Sequence, residues 1–213
     1  MLTKLASLIL LPRYDMPERK RVAILISGRG SNMVALIEAA RDPHFPAEIV
    51  GVFSNKADAP GLAFARDAGV PTAVRSHKDF ASREAFDAEI AAILAGWNTD
   101  LVCLAGFMRI FSTGFATKWT GRMLNIHPSL LPAFKGLKPQ QQALAAGVTE
   151  AGCTVHWVIP ELDDGPTILQ RTVPVLAGDD EASLSARILA EEHKAYPEAL
   201  RQVATGAAVY RAD

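Results

Sequence analysis

Cysteine is nearly missing from this chain: Cys103 and Cys153 are the only two in 213 residues, and each lies inside an apolar stretch. That is too few for the disulfide framework of a small secreted domain, so buried thiols in a reducing, cytoplasmic compartment are expected. Cys/His clusters at metal-ligand spacing are also lacking, and no metal site is expected. Neither sign of charge dominates, since 22 Lys and Arg oppose 23 Asp and Glu for a formal charge of -1. Such a balance supplies no field for gripping a nucleic-acid backbone. No apolar run approaches the roughly 20 residues that cross a bilayer. Repeats and low-complexity tracts are lacking as well.

What is present is a chain that is 49% hydrophobic, long enough to bury a full core as a single domain over residues 21–213. Residues 1–20 read as an N-terminal extension. Leu5 to Leu11 is an apolar run behind one lysine, but it is short for a signal core and runs straight into Pro12-Arg13. It is expected to be a surface-packed segment, or the product of a start codon upstream of Met16.

Strand and helix patterns alternate along the rest. Val22 to Ser27 is a β-branched apolar run, and from Ser31 the apolar spacing turns helical through Met33, Leu36, Ile37 and Ala40. Strands follow at Ile49 to Phe53, Thr72 to Val74, Leu101 to Ala105 and Met123 to Ile126, with helices at Gly61 to Ala68 and Phe80 to Ala95. Strands apolar throughout belong to a parallel sheet covered on both faces. Thr154 to Ile159 and Ile168 to Val175, separated by a turn-rich segment, predict an antiparallel pair. A helix is expected from an N-cap at Asp180 towards Ala204, kinked or broken at Pro197, with a small edge strand at Ala207 to Tyr210. The fold class is therefore α/β: a Rossmann-like, open, mostly parallel sheet with helices on both faces and a C-terminal antiparallel extension.

Four segments carry possible chemistry. Ser27-Gly28-Arg29-Gly30-Ser31-Asn32 turns from strand to helix and can aim backbone N–H groups at a phosphate monoester. It lacks the third glycine of a dinucleotide fingerprint and the Lys-Ser/Thr of a Walker loop. Asn125 and His127 leave a strand end with side chains on one face, an arrangement fit for holding an oxyanion and moving an amine proton in acyl transfer. Pro128 and Pro132 stiffen the loop that follows, and one X-Pro bond there is a candidate for cis. The turn Glu161-Leu162-Asp163-Asp164-Gly165-Pro166 offers carboxylates, one of which could face His127 and favour its imidazolium, although an acidic turn is ordinarily just solvated. His156 is a second candidate neighbour of that turn, and otherwise a buried strand histidine. Finally, Leu104 to Phe111 combines apolar groups, Arg109 and free backbone amides after a strand, suited to a flat heterocycle.

SGRGSN, FSNKADAPGL, LAGFMRI, NIHPSLLP and ELDDGP, in this order and spacing, closely resemble the folate-dependent phosphoribosylglycinamide formyltransferase family over about residues 21 to 205. The resemblance implies transfer of a formyl group from 10-formyltetrahydrofolate to glycinamide ribonucleotide, with no metal, by a monomer or homodimer acting on small-molecule substrates. It places Asn125, His127 and Asp163 on the catalytic positions. Gly28, Gly30, Ser31, Asn32, Pro128, Leu189, Ala190, Glu191 and Glu192 fall on ribonucleotide-binding positions. Arg83, Met108, Arg109, Ile110, Phe111, Asn125 and Ile159, Pro160, Glu161, Leu162, Asp163 fall on folate-binding positions. The N-terminal half would thus hold the ribonucleotide and the C-terminal half the folate.

Two departures stand out. Gly136-Leu137-Lys138-Pro139-Gln140 stands where the family often reads Gly-Leu-His-x-His, so two histidines are absent, and Asp164 stands where glycine is usual. Three other readings compete. A methionyl-tRNA formyltransferase would be expected to carry a further domain of roughly 100 residues and a basic surface. A formyltetrahydrofolate hydrolase would carry an N-terminal regulatory domain. A non-catalytic nucleotide-binding module would explain SGRGSN and leave Asn125, His127 and Asp163 without a purpose.

Overall fold

A computed structural model describes residues 18–211. Most of the expected N-terminal extension, residues 1–17, lies outside the described residues. β1 (Lys20–Ile26) shows why the strands are apolar at nearly every position. Val22, Ile24 and Ile26 enter one hydrophobic cluster, while Ala23 and Leu25 enter a second on the opposite face. β4 (Leu101–Leu104) divides the same way, with Leu101 and Cys103 on one side and Val102 and Leu104 on the other. A strand that alternates sides with period two must be apolar throughout when both faces are covered.

The remaining strands and α-helices, in chain order, are α1 (Ser31–Ala40), β2 (Ala47–Ser54), α2 (Gly61–Asp67), β3 (Thr72–Val74), α3 (Arg83–Gly96), α4 (Thr113–Lys118), β5 (Met123–His127), α5 (Pro139–Ala145), β6 (Glu150–Trp157), β7 (Thr167–Pro174) and α6 (Glu181–Ala204), with a 3-10 turn at His77–Asp79 before α3. The sheet order is β3-β2-β1-β4-β5-β6-β7. The first five strands are parallel, and β6 and β7 each run antiparallel to the strand before. α1, α2, α5 and α6 feed the first cluster; α3 and α4 feed the second. The Rossmann-like sheet with its antiparallel extension is the one expected from the sequence. Both cysteines are free and buried, and burial pushes each thiol up to about 12.

The structure differs from the sequence reading at four places. α4 and α5 were not expected, because helices of six and seven residues hold too little periodicity to be read. Their starts rest instead on Ser112, which caps Phe115, and on Pro139 at the first helical position. α6 runs unbroken through Pro197, held by buried Ala195, Tyr196, Ala199 and Leu200 on its inner face. Its start is the expected one, since Asp180 accepts from Ser183 N and completes a capping box. Ala207 to Tyr210 is not a strand. Gly206, at φ +76°, ends the helix, Ala208 N turns back to Gln202 O, and Tyr210 packs edge-on against Trp157.

Tyr196 fastens α6 to the sheet. Its hydroxyl, fully buried, lies 3.0 Å from Leu104 O and 3.1 Å from Leu124 O. Tyr196→Phe removes that donor from two buried carbonyls. A loss of about 1–3 kcal/mol in unfolding free energy is expected in a urea titration.

Candidate active site

The site lies where the chain order of the sheet reverses, at the C-terminal ends of β1 and β4, a position at which open α/β sheets bind ligands. Ser27 ties the loops together there. Its backbone N donates to Gly106 O at 3.1 Å, and its hydroxyl donates to Asn55 Oδ1 at 2.6 Å while accepting from Met108 N at 2.8 Å.

The glycine-rich turn after β1 ends at Gly30, whose φ of +67° is a left-handed conformation that glycine adopts freely. α2 abuts this turn through Gly61. A Cβ at Gly61 would stand 3.0 Å from Arg29 O and 2.7 Å from Ile26 Cδ1, so a side chain there would push the turn away. The sequence reading did not single out Gly61; a glycine opening a helix was its only signal.

Asn32, on the first turn of α1, is buried and donates from Nδ2 to Glu192 Oε2 at 2.7 Å across 160 positions of sequence. Its Oδ1 is buried and has no partner among the described residues. Burial raises the Glu192 carboxyl above its ordinary range, against the opposing Asn32 hydrogen bond. A raised carboxyl favours folding while protonated, and that contribution is lost as pH climbs through the folded value. Ionised Glu192 therefore costs stability at neutral pH. Glu192→Gln is expected to be more stable than the parent at about pH 8, with the advantage shrinking towards about pH 4, in paired denaturant titrations.

Within Leu189 to Glu192, Glu192 is the residue hydrogen-bonded to the turn, and Leu189 is half-buried. Glu191 instead pairs with Lys194 and Arg171, and Ala190 is exposed. Gly28, Ser31 and Pro128 are half-buried at the rim.

The centre of the site stands on β5. Met123 faces the second cluster and Leu124 and Ile126 the first, so Asn125 and His127 share the Met123 side. β6 pairs Asn125 with His156 and His127 with Thr154. His156 Nδ1 lies 2.9 Å from Trp157 O and its Nε2 3.2 Å from Asn125 Nδ2. Burial lowers the His156 pKa and favours the neutral ring. With its proton on Nδ1, the ring accepts from Asn125 and sets the orientation of that amide.

Asp163 completes the cluster from the turn after β6. Its Oδ2 is 3.4 Å from His127 Nδ1 and accepts from Gly136 N at 3.0 Å; its Oδ1 is 3.8 Å from His156 Nε2. The other nitrogen of His127, Nε2, faces Phe134 O at 3.0 Å. A carboxylate and a carbonyl oxygen thus flank the ring on its two nitrogens. His127, His156 and Asp163 are all buried. The turn itself is pressed on β6, since a Cβ at Gly165 would meet Trp157 O at 1.9 Å. Beside it Lys135 pairs with Asp164, the residue that departs from the family pattern. The Leu131–Pro132 peptide is cis.

Phe107 and Phe111 stack at 5.3 Å inside the second cluster, which leaves Met108 and Ile110 exposed at the site with Leu162 also exposed on the acidic turn. Arg109 Nε is buried without a partner among the described residues. Ile159 is half-buried, and Pro160 and Glu161 are exposed. Arg83 is exposed on the first turn of α3 and no described contact joins it to the His127 cluster. Among the described residues no group of three or more His, Cys, Asp or Glu could hold a metal ion, and no helix is long and apolar enough to cross a membrane.

Fold and cluster together define a class. Residues 20–200 match the family model described as formyl transferase, and the chain belongs to that family. More particularly, it is similar to phosphoribosylglycinamide formyltransferase of Escherichia coli (strain K12), at 48% identity over 87% of each chain. It is 54% identical to the trifunctional purine biosynthetic protein adenosine-3 of Bos taurus over 90% of this chain, which spans only 19% of that relative's length. The crystal structure of glycinamide ribonucleotide transformylase 1 from Symbiobacterium toebii superposes with a TM-score of 0.87 at 48% identity, covering 92% of this chain and 95% of that one.

Proposed function

We propose that the protein transfers the formyl group of 10-formyltetrahydrofolate to the amine of N1-(5-phosphoribosyl)glycinamide, a step of purine biosynthesis in the cytoplasm. The observation that carries this reading is the meeting of half-buried Asn125 with buried His127 and Asp163 in one cluster, joined through His156. From the expected ribonucleotide positions, the hydrogen bond between Asn32 and Glu192 supports it further.

Each part supports a step. The Gly28 to Asn32 turn holds the phosphate on backbone N–H groups, and Asn32 Oδ1 and Glu192 accept from ribose or glycinamide donors. The exposed apolar groups of Met108, Ile110 and Leu162 flank the folate heterocycle, and Arg109 Nε supplies a free donor beside it. The amine attacks the formyl carbon, and the second N–H of Asn125 Nδ2 stabilises the oxyanion. His127 takes part in moving the proton from the attacking amine to the departing folate nitrogen, with Asp163 holding its ring. One N–C bond forms, one breaks, and the proton is conserved. Because the donor is already activated, the protein supplies orientation and electrostatics.

A spectroscopic assay with 10-formyltetrahydrofolate, run with and without the ribonucleotide, tests the reading. Tetrahydrofolate formed only when the ribonucleotide is present is the expected result. Equal product without it would make the protein a hydrolase, and no product in either case would remove the reading.

A further inference from the structure

Gln170 of β7 stands in a row with the centre of the site. The strand register pairs Gln170 with Thr154 and Thr154 with His127, so the three share one face of the sheet. Gln170 Nε2 donates to Thr154 Oγ1 at 2.9 Å and to Leu131 O at 2.8 Å. Thr154, fully buried, also accepts from Leu131 N at 3.0 Å and donates to Ser129 O at 2.7 Å. That uses its one proton and both lone pairs. Ser129 Oγ in turn donates to Ala133 O at 2.6 Å. The next residue, Phe134, presents the carbonyl that faces His127 Nε2.

Phe134 has φ +57°, a left-handed conformation that a bulky residue avoids unless its surroundings impose it. The two side chains from β6 and β7 fasten the segment that leads into it. The Gln170 bond to Leu131 O lies at the surface, where water can replace it at little cost to the fold. What water does not replace is the fixed distance between β7 and the loop.

We propose that Gln170 is a positioning residue, acting through Thr154 and the 129–134 segment to hold the Phe134 carbonyl on His127 Nε2. Its consequence for catalysis rests on the transferase reading above; its consequence for the His127 ring does not.

Gln170→Leu keeps the volume and removes both N–H donors. Turnover is expected to fall about tenfold, with KM for both substrates changing less than about twofold. In the protein without substrates, the long-range 1H–15N signal of His127 Nε2 is expected to move, while the urea midpoint stays near the parent's. Thr154→Ser, which keeps the hydroxyl, should behave as the parent. An unmoved His127 signal in Gln170→Leu overturns the proposal. A moved signal with parental turnover overturns its catalytic part. A parent that transfers no formyl group while the signal still moves marks the functional reading, not the strut, as the failure.

Discussion

His127→Ala loses formyl transfer almost completely, by about 10²–10⁴-fold in turnover, the range removed with a positioned general acid or base. The ring is the only titratable group on β5 at the site, and it is flanked by Asp163 at 3.4 Å and the Phe134 carbonyl at 3.0 Å. His156 does not substitute, because its Nδ1 is engaged with Trp157 O and burial lowers its pKa. The fold is expected to survive, since Asp163 keeps the Gly136 N–H. Single-turnover kinetics with saturating substrates measure the effect. Turnover within a few-fold of the parent would remove His127 from the chemistry.

Asp163→Asn is the second large effect, and it separates charge from shape. Asp163 sits at φ +50°, a left-handed position that Asn and Asp tolerate better than other side chains. Alanine there would confound loss of the carboxylate with backbone strain. Asparagine fits the backbone, and its amide oxygen still accepts from Gly136 N. What it cannot do is present a negative charge to His127 and His156. Turnover is expected to fall by about 10²-fold or more, as when an orienting carboxylate behind a catalytic histidine is neutralised. Unfolding free energy should stay within about 1 kcal/mol of the parent. Retained turnover would assign the carboxylate to holding the Gly136 loop alone.

Asn125 and His127 were legible as a pair because strand side chains alternate with period two, and β5 obeys that rule. By residue pattern alone Asp163 is one candidate among the acids of its turn, and the family resemblance is what singles it out. Nothing local distinguishes it from Asp164, yet Asp163 is buried against two histidines while Asp164 pairs with Lys135. In Leu189 to Glu192 the resemblance favours Glu192 over its neighbour, and the fold sends the adjacent glutamates to different partners, Glu192 to Asn32 and Glu191 to Arg171. His156 was read as a buried strand histidine. It is one, and it also holds the Asn125 amide, because the antiparallel register sets the two residues opposite each other.

Residue pattern alone was enough for the strand and helix segments, the glycine turn and the cap at Asp180, since each depends on neighbours within a few positions; the mostly parallel sheet followed from strands apolar at every position. Short α4 and α5 escaped it, and Ala207 to Tyr210 misled it, because β-propensity does not reveal whether a partner edge is within reach. Contacts across 160 residues between Asn32 and Glu192, the seating of Asp163 and the Gln170–Thr154–His127 row were decided only by the folded chain. Each depends on strand order and register, and these arise from burying two apolar faces at once rather than from any local stretch of sequence.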